Sequence, residues 1–382
     1  MANKKSTLEN LVKVNRKMFN ELYKDKTVLV TGHTGFQGGW LSLWLKKLGA
    51  NVIGYSLEPP TEPSFFESVK LNEELEHIIG DIRDESRINE IITEFKPEII
   101  FHLAAQSLVR ESYNNPIETF ETNILGTANI LESVRRSESV RAVMIMTSDK
   151  CYDNKEFIQP HKETDPMGGF DPYSASKGAT ELITASYRDS FFKNNLINCG
   201  IATARSGNVI GGGDWSENRI IPDSIKKLTN DNKIMIRNPE SKRPWQYVLE
   251  SISGILWLTA KLYQEPEKFD QGWNFGPNKN SDILTVKELV KKIIKEWDSK
   301  QSFMIDKKSS LLHESEILLL DSSKSENELG WRNIFKIDEL ISETISWYKM
   351  HNNKTENMKE FSLKQIEKYS MKATEDNLVW TN

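Results

Sequence analysis

The sequence is poor in cysteine, in long apolar runs and in net positive charge. Two cysteines among 382 residues, Cys151 and Cys199, argue against a disulfide framework and lead us to expect a reducing, cytoplasmic location. The longest uncharged run, residues 27–45, contains four glycines and is a poor membrane span. No Cys/His spacing is typical of a zinc site, so we expect no metal.

The charge balance excludes other classes of partner. The 50 basic and 55 acidic side chains give a net charge of -5, which offers no electrostatic case for binding nucleic acid or an anionic membrane. The charged start of the chain lacks the apolar core of a signal peptide. With 27% charged and 38% hydrophobic residues, the composition is that of an ordinary globular protein. Any phosphate binding must therefore come from local loops.

From residue 26 onward, strand patterns alternate with helix patterns. Alternation of this kind indicates a parallel sheet with helices on both faces, because parallel strands need long crossover connections. The fold class predicted is α/β, a Rossmann-type doubly wound sheet with a smaller interleaved C-terminal substrate lobe. The predicted strands are 27–30, 51–55, 99–103 and 143–147, and the predicted helices are 40–48, 85–95, 117–136 and 284–297.

A glycine-rich loop follows the first strand and opens a helix. Gly32, Gly35 and Gly38 have the G-x-x-G-x-x-G spacing that lets backbone N–H groups approach a diphosphate at a helix N-terminus. A plain glycine-rich turn is the alternative, and the strand before and helix after favour the dinucleotide interpretation. The expected cofactor contacts in the loop are Gly32, Thr34, Gly35, Phe36, Gln37 and Gly38.

Other cofactor contacts are expected where later strands end. Dinucleotide sites usually place an acid at the end of the second strand, but here Ser56 is nearest that position. No arginine is present there to favour a 2′-phosphate, so NAD is expected rather than NADP. The expected contacts at strand ends are Ser56, Asp81, Ile82, Leu103, Ala104 and Ala105, with ordinary loop and core roles as the alternative.

Tyr173 and Lys177 form a Y-x-x-x-K pair on one face of a predicted helix. We expect the lysine ammonium to lower the pKa of the phenol, so that a tyrosinate can take a proton from a hydroxyl near neutral pH. The pair alone is a weak signal. It gains weight from the strand-end triplet Ser148, Asp149 and Lys150, which lies between the glycine loop and this helix.

Several motifs in order resemble the extended short-chain dehydrogenase/reductase family, over residues 26–347. They are residues 32–38, 102–105, 123–126, 173–177 and 274–277. Within that family, residues 148–152, 208–215, 237–239 and 243–246 are similar to the 4,6-dehydratases of CDP-glucose. The resemblance implies bound NAD, a small-molecule nucleotide-sugar substrate and assembly into a homodimer or homotetramer.

The resemblance also implies a domain division. It comprises an N-terminal extension (1–24), an NAD-binding domain (25–205, with 245–275 returning to it), a nucleotide-sugar lobe (206–244 and 276–350) and a C-terminal tail (351–382). The tail is either a docking helix or a loose segment. The implied substrate contacts are Gln106, Asn208, Arg219 and Arg243, and arginine suits bidentate pairing with phosphate. Trp245 belongs either to the pocket wall or to the core.

The implied reaction is a redox-neutral dehydration, in which one bound NAD oxidises C4 of the sugar and later reduces C6. Tyr173 deprotonates the C4 hydroxyl, Ser148 hydrogen-bonds the C4 oxygen, and Asp149 protonates the departing C6 hydroxyl. Asp149 must then be protonated when substrate is bound, which burial favours.

Lys150 stands where many sugar 4,6-dehydratases carry the glutamate that removes the C5 proton. An exposed lysine is protonated near neutrality and cannot accept a proton, whereas a desolvated lysine beside Lys177 can. We hypothesise that Lys150 is the C5 base. The alternative is an electrostatic partner for the enolate or the diphosphate.

Two rival functions stay open on sequence grounds. A nucleotide-sugar 4-epimerase of the same fold needs only the 4-ketone, so Asp149 and Lys150 would have no task in it. A catalytically inactive scaffold is disfavoured by the intact pair of Tyr173 and Lys177. The identity of the nucleotide is inferred from the resemblance alone.

Overall fold

The computed structural model describes residues 18–154, 159–193, 197–277, 283–306 and 318–382. Residues 1–17 of the predicted N-terminal extension lie outside this range, as do parts of the predicted substrate lobe at 278–282 and 307–317. Among the described residues, no helix combines the length and the apolar character that crossing a bilayer requires.

Seven parallel strands form the central sheet, in the order β3-β2-β1-β4-β5-β6-β11. Strand order reverses between β1 and β4, which is the topological switch point of a doubly wound sheet. The predicted fold class is confirmed. The strands are β1 (Thr27–Thr31), β2 (Asn51–Ser56), β3 (Glu76–Ile79), β4 (Ile99–His102), β5 (Ala142–Met146), β6 (Gly200–Arg205), β7 (Val209–Ile210), β8 (Ile234–Ile236), β9 (Lys242–Arg243), β10 (Gln246–Tyr247), β11 (Gly272–Asn274), β12 (Leu284–Thr285) and β13 (Phe303–Ile305).

Helices cover both faces of this sheet. The α-helices are α1 (Phe36–Lys47), α2 (Phe65–Ser68), α3 (Glu85–Phe95), α4 (Val109–Asn114), α5 (Pro116–Phe120), α6 (Gly126–Arg135), α7 (Pro172–Tyr187), α8 (Ile220–Thr229), α9 (Val248–Gln264), α10 (Pro266–Phe269), α11 (Val286–Trp297), α12 (Ser323–Glu328), α13 (Ile337–Asn353) and α14 (Met358–Glu375). Successive strand residues point to opposite faces, so Val28 and Val30 join one core and Leu29 joins the other. Both faces are therefore apolar, as parallel sheets require.

The predicted helix at 117–136 is interrupted in the structure. It consists of α5, a π-helical turn at Glu121–Leu125, and α6. In this turn the side chain of Asn123 donates to the backbone oxygen of Gln106 (3.0 Å) and to Ser176 Oγ (2.8 Å). It also accepts from the backbone nitrogen of Gln106 (2.8 Å). The irregular turn thus joins the β4 loop to α7, a contact that local periodicity does not encode.

The predicted helix at 284–297 begins two residues later than expected. Thr285 caps α11, because its side chain accepts from the backbone of Glu288 while Glu288 accepts from the backbone of Thr285. Leu284 and Thr285 instead form β12, which pairs antiparallel with β9.

Beyond β6 the chain forms three small two-stranded sheets and then returns to the main sheet. The small sheets pair β7 with β10, β8 with β13 and β9 with β12. Strand β11 returns to the central sheet beside β6. The domain boundaries drawn from the sequence stay a prediction.

The C-terminal segment docks onto the first domain. Tyr369 of α14 and Trp380 are fully buried, and both rings meet the ring of Trp44 on α1 edge to face, with centroids 5.9 and 6.2 Å apart. Of the two alternatives left open by the sequence, the structure has the docking helix.

A buried carboxylate anchors this docking. Glu250 of α9 accepts hydrogen bonds from the backbone nitrogens of Ile334 and Phe335 (both 2.8 Å) and from the hydroxyl of Tyr369 (2.7 Å). Burial raises the pKa of Glu250 from its ordinary value of 4.5 to about 7, against the opposing effect of these hydrogen bonds and of the charge on Lys372. The native state therefore holds this proton more tightly than the unfolded chain does.

We predict that Glu250→Gln flattens the pH dependence of stability. A carboxyl with a raised native pKa contributes stability below about pH 4.5, and that contribution is lost as the pH rises through about 7. The free energy of unfolding of Glu250→Gln relative to wild type should therefore rise between pH 5 and pH 8, by up to about 3 kcal/mol. Urea denaturation across this range measures the difference. Glu375→Gln, at an exposed position of α14, is the control, and parallel wild-type and Glu250→Gln curves would contradict the prediction.

Candidate active site

The glycine loop connects the end of β1 to the start of α1. Gly32 has a φ of +78°, and a Cβ there would lie 2.7 Å from the backbone nitrogen of Ala104. A Cβ on Gly38 would lie 2.1 Å from the carbonyl oxygen of Gly32. These two glycines therefore permit the tight turn and the close contact of helix with strand.

Gly35 has a different role in the same loop. Among the described residues, a Cβ at Gly35 would have only the carbonyl oxygen of Gly32 as a neighbour, at 3.3 Å, so the space in front of it is open. Gly35 is also the N-cap of α1 and forms no side-chain cap. An open cradle at an uncapped helix start matches the diphosphate of a dinucleotide, so the residues present suit the expected cofactor.

The loop is joined to the end of β2 by two buried hydroxyl groups. Thr34 Oγ1 and Ser56 Oγ lie 2.8 Å apart, and Thr34 also donates to the carbonyl oxygen of Leu57 (2.9 Å). Ser56 is the last residue of β2 and occupies the place where an acid was expected. It stays a predicted cofactor contact.

Several predicted cofactor contacts have partners within the protein. The carboxylate of Asp81 accepts from the backbone nitrogen of Arg83 (2.8 Å) and from its guanidinium (2.6 and 2.9 Å). The side chain of Ile82 is buried in the core against Gly126. Any contact of Ile82 with a cofactor must therefore use its backbone. The backbone nitrogen of Ala104 donates to Thr31 Oγ1 (3.3 Å).

The triplet Ser148–Lys150 lies directly after β5. Residues Asp149–Cys151 form a 3₁₀ turn, and Ser148 caps it by accepting from the backbone nitrogen of Lys150 (3.2 Å). Ser148 Oγ donates to Asp149 Oδ1 (2.9 Å), and the carboxyl of Asp149 packs against Gly207, where a Cβ would lie 2.0 Å from Oδ2. Burial raises the pKa of Asp149, as the predicted acid role requires. Lys150 is half-buried.

The helix α7 places Tyr173 and Lys177 against the same strand end. Asp171 caps the helix by accepting from the backbone nitrogen of Ser174 (2.9 Å) and from its hydroxyl (2.6 Å), and Pro172 occupies the first position. Lys177 is buried, and its ammonium donates to the carbonyl oxygen of Met146 at the end of β5 (3.3 Å). Burial lowers the pKa of Lys177 to about 8.

The pKa of the Tyr173 phenol is shifted upward in this structure, opposite to the net lowering that we expected. Burial raises the pKa of Tyr173 to about 12. A hydrogen bond with Ser148 and the charge of Arg219 lower it, whereas the carboxylates of Asp149 and Asp171 raise it further. Loss of hydration outweighs the cations because the tyrosine is almost fully buried.

One cleft of about 760 Å³ brings most of the predicted site together. Its walls come from the ends of β4 and β5, the start of α7 and the lobe after β6. Asp149 and Lys150 therefore face the same space as Tyr173 and Lys177. The predicted residues lining it are Gln37, Leu103, Ala105, Ser148, Asp149, Lys150, Tyr173, Lys177, Asn208, Arg219 and Arg243, and those outside its lining are Gly32, Thr34, Gly35, Phe36, Gly38, Ser56, Asp81, Ile82, Ala104 and Gln106.

On the lobe side of the cleft, Arg219 is held by a neighbouring acid. Its guanidinium lies 3.1 Å from Asp214 Oδ2, and about a third of the side chain is exposed. Asn208 has a φ of +48° and accepts through its carbonyl from the backbone nitrogen of Gln246 (3.2 Å). Trp245 also lines the cleft and is 7% exposed, so it serves both the wall and the core.

Gln106, a predicted substrate contact, has hydrogen-bond partners within the protein and lies outside the lining of the cleft. Its amide nitrogen donates to the carbonyl oxygen of Leu108 (3.1 Å) and to Thr119 Oγ1 (2.9 Å), and its amide oxygen accepts from the backbone nitrogen of Leu108 (2.6 Å). The side chain thus contacts the loop after β4. Its contact with substrate stays a prediction.

The sequence prediction misses two groups of residues. Asp214, Asn218 and Arg237 line the cleft, and Arg237 donates to Asn218 Oδ1 (2.9 Å) and to the Asn218 carbonyl oxygen (3.1 Å). Asp214 and Arg237 lie within the motifs at 208–215 and 237–239, and Asn218 lies three residues after the first of them. No group of three or more His, Cys, Asp or Glu side chains suited to a metal ion occurs in the part of the chain that the structure describes.

The second group is a pair of histidines beneath the glycine loop. His33 is fully buried, and its Nε2 lies 2.7 Å from Nδ1 of His77 on β3. Burial, with the charge of His77, lowers the pKa of His33 to about 3. The sequence feature that could have revealed the buried His33 is Gly54 inside a strand, because a Cβ at Gly54 would lie 2.3 Å from the His33 ring.

Comparisons with known proteins agree with this geometry. The family model described as GDP-mannose 4,6 dehydratase matches residues 29–344. A CDP-glucose 4,6-dehydratase of Salmonella typhimurium is 48% identical over 86% of this chain and 91% of its own length. The solved structure of the epimerase Mth375 from Methanothermobacter thermautotrophicus has a TM-score of 0.75 at 22% identity, covering 90% of this chain and 98% of that one. That of a dTDP-glucose 4,6-dehydratase from Bacillus anthracis, in complex with NAD, has a TM-score of 0.70 at 20% identity, covering 87% and 98%.

At these identities the two solved structures establish the fold alone. The family model spans most of the chain, and the Salmonella relative is nearly half identical over most of both chains. The protein therefore belongs to the GDP-mannose 4,6 dehydratase family.

Proposed function

We propose that the chain is an NAD-dependent lyase that converts CDP-D-glucose to CDP-4-dehydro-6-deoxy-D-glucose and water. The observation that carries this proposal is the cleft in which Asp149 and Lys150 face the same space as Tyr173 and Lys177. Oxidation at C4 needs only the tyrosine–lysine pair, so an additional acid and amine support chemistry at C5 and C6. The choice of CDP-glucose is supported by the Salmonella relative of that name.

The cofactor would lie along the carboxyl edge of the sheet. The loop residues Gly32 and Gly35, with the uncapped start of α1, would hold its diphosphate, and Lys177 would hold the nicotinamide ribose. When bound, NAD supplies the hydride acceptor for C4 of the sugar and the hydride donor for C6. The absence of an arginine near Ser56 in the sequence, which would favour the 2′-phosphate of NADP, supports NAD.

Tyr173 removes the proton of the C4 hydroxyl. With a pKa of about 12 the phenol is protonated at neutral pH, so it becomes a base only when positive charge stabilises the phenolate. Lys177 and Arg219 line the same cleft and supply such charge. Ser148 hydrogen-bonds the C4 oxygen from the end of β5.

Asp149 and Lys150 carry the dehydration that follows. The 4-ketone acidifies the C5 proton, Lys150 removes that proton, and Asp149 protonates the C6 hydroxyl as it leaves. C5 is reprotonated when C6 accepts the hydride, which gives the 6-deoxy product. Burial raises the pKa of Asp149, which favours the acid form that can donate. An epimerase of the same fold would leave both residues without a function.

Asn208, Arg219 and Arg243 would bind the diphosphate of the sugar nucleotide. All three line the lobe side of the cleft. The guanidinium of an arginine pairs with two phosphate oxygens at once, which fixes the sugar with respect to Tyr173.

We predict that deuterium at C4 of CDP-glucose is transferred to C6 of the product. A dehydratase returns the same hydride within one active site, whereas an epimerase leaves the label on C4 and a scaffold gives no product. Tyr173→Phe should slow the reaction by about 10²–10⁴-fold, because the base is lost while the cleft keeps its shape. Proton NMR and mass spectrometry of the product locate the label.

The same assay with UDP-, GDP- and dTDP-glucose tests the nucleotide. CDP-glucose should have the highest kcat/KM. A higher value for another nucleotide would overturn the cytidine assignment and leave the dehydratase proposal intact, whereas a label retained on C4 would overturn the dehydratase proposal.

A pair of Lys150 variants separates a base from an electrostatic partner. We predict that both Lys150→Met and Lys150→Arg lose exchange of the C5 proton by at least about 10²-fold, because arginine keeps the charge but does not accept a proton. Exchange is measured in D₂O by NMR on a supplied CDP-4-keto-glucose. If Lys150→Arg retains the wild-type exchange rate, the electrostatic role is correct.

We also infer that the chain forms a homodimer or homotetramer through its helices α5 and α7. These helices pack together and leave three large apolar side chains exposed: Ile117 (66%), Leu182 (61%) and, from the adjoining π turn, Leu125 (57%). A two-fold axis would bury this patch against its own copy, as in most homodimers.

We predict that Leu182→Glu dissociates the oligomer to a monomer while its far-ultraviolet circular dichroism is retained. A charge on each copy would face the other across the two-fold interface. Light scattering after size exclusion measures the mass. Met304→Glu, a comparably exposed site on β13, is the control, and an unchanged mass for Leu182→Glu would place the interface elsewhere.

A cytoplasmic location completes the proposal. Cys151 and Cys199 are both free and buried, which supports the reducing compartment expected from the sequence. The net charge of -5 supports a small-molecule partner rather than a nucleic acid.

A further inference from the structure

A buried ion pair lies directly behind the catalytic cleft. Glu181 of α7 and Arg205 of β6 are each about 5% exposed, and the guanidinium donates to both carboxylate oxygens, at 2.9 Å from Nε and 2.8 Å from Nη2. The hydroxyl of Thr203 donates to the same carboxylate (2.7 Å). A buried charge pair with this many donors is rigid, because breaking any one contact leaves a buried charge incompletely solvated.

This pair holds the catalytic triplet from its N-terminal side. Thr147, the residue before Ser148, donates its hydroxyl to Glu181 Oε1 (2.5 Å). Glu181 lies four residues after Lys177 on α7, on the same face of the helix. One carboxylate therefore connects the end of β5 with the helix that carries Tyr173 and Lys177.

It also holds the triplet from its C-terminal side. Arg205 donates through Nη1 to the hydroxyl of Tyr152 (2.6 Å), two residues after Lys150, and its guanidinium lies over the Tyr152 ring at 5.1 Å. The Tyr152 hydroxyl in turn donates to Asn274 Oδ1 (2.7 Å) on β11. The three residues 148–150 are thus fixed at both ends by one ion pair.

We propose that Glu181 and Arg205 are positioning residues, which hold the Ser148–Lys150 triplet in place relative to Tyr173 and Lys177. Neither lines the cleft, so both act through other residues. This proposal rests on the proposed function only in its kinetic tests. The position of the triplet is a property of the folded chain and can be measured without turnover.

The charge of Glu181 has a second consequence for Lys177. Burial lowers the pKa of Lys177 to about 8, and the negative charge of Glu181 is the strongest effect that opposes it, followed by Cys151. His102 of β4 also faces this lysine, and burial with the charge of Lys177 lowers the pKa of His102 to about 3, which leaves it neutral. Glu181 therefore helps to keep Lys177 protonated near neutral pH.

Thr147→Val tests whether the contact with Glu181 holds the triplet in place, and it changes the volume of the side chain little. It removes one hydrogen bond to Glu181, and we expect kcat to fall by about 10–100-fold with little change in KM. Tyr152→Phe removes the contact on the other side of the triplet and should act in the same direction. The control is Thr184→Val on the same helix, where the buried hydroxyl bonds only the carbonyl oxygen of Thr180 (2.7 Å), and kcat should be that of wild type.

Hydrogen exchange followed by mass spectrometry gives a readout that does not depend on turnover. Amides of the peptide covering residues 147–152 should exchange faster in Thr147→Val and in Tyr152→Phe than in wild type, but not in Thr184→Val. Equal exchange in all four proteins would overturn the proposal. If wild type does not turn over CDP-glucose, the proposed function fails. The exchange data would still show whether Glu181 and Arg205 hold the triplet in place.

Glu181→Gln tests the charge. The variant lacks the negative charge that raises the pKa of Lys177, so Lys177 should lose its proton at a lower pH. The alkaline limb of the pH profile of kcat/KM should therefore move to lower pH. Thr147→Val, which keeps the carboxylate, should leave the limb where it is in wild type. A limb that stays in place in Glu181→Gln would overturn the charge role of Glu181.

Discussion

Loss of hydration under the carboxyl end of β5 determines the chemistry of this cleft. It raises the pKa of Asp149, raises that of Tyr173 to about 12 and lowers that of Lys177 to about 8, so each group is moved toward its uncharged form. The Glu181–Arg205 pair stays charged at this depth, because its carboxylate accepts from two hydroxyls and a bidentate guanidinium. A site built this way favours the protonated forms of the acid and of the phenol until substrate and cofactor bring new charge.

The order of strands explains why these groups meet. Strand order reverses between β1 and β4, so the glycine loop after β1 and the loop after β4 diverge and leave a crevice at the carboxyl edge of the sheet. The chain then leaves the sheet after β6 and builds the opposite wall with Asn208, Arg219 and Arg243 before β11 returns to pair with β6. The proposed cofactor side of the site thus belongs to the sheet, and the proposed substrate side belongs to the residues after β6.

Sequence patterns predicted the parts of the site that local backbone geometry dictates. The spacing of Gly32, Gly35 and Gly38 follows from a strand–turn–helix connection, and the spacing of Tyr173 and Lys177 follows from one turn of helix. Long-range partners were not predictable in this way. The engagement of Gln106 with Thr119, the pairing of His33 with His77 and the π turn around Asn123 depend on contacts between distant segments. The sign of the shift in the Tyr173 pKa depends on burial, which a motif does not report.

The 3₁₀ turn after β5 explains how three consecutive residues can serve one cleft. In an extended strand, neighbouring side chains point to opposite faces of the sheet, so Ser148 and Asp149 could not both face the substrate. The 3₁₀ turn at Asp149–Cys151 ends this alternation, and Asp149 and Lys150 line the same cleft as Ser148, the extended residue that caps the turn. Cys151 does not line the cleft and is buried in a small core with Tyr152 and Leu320. Since Thr147 and Tyr152 bracket this turn and both contact the Glu181–Arg205 pair, the same ion pair that stays charged in the dry interior also fixes where the turn begins and ends.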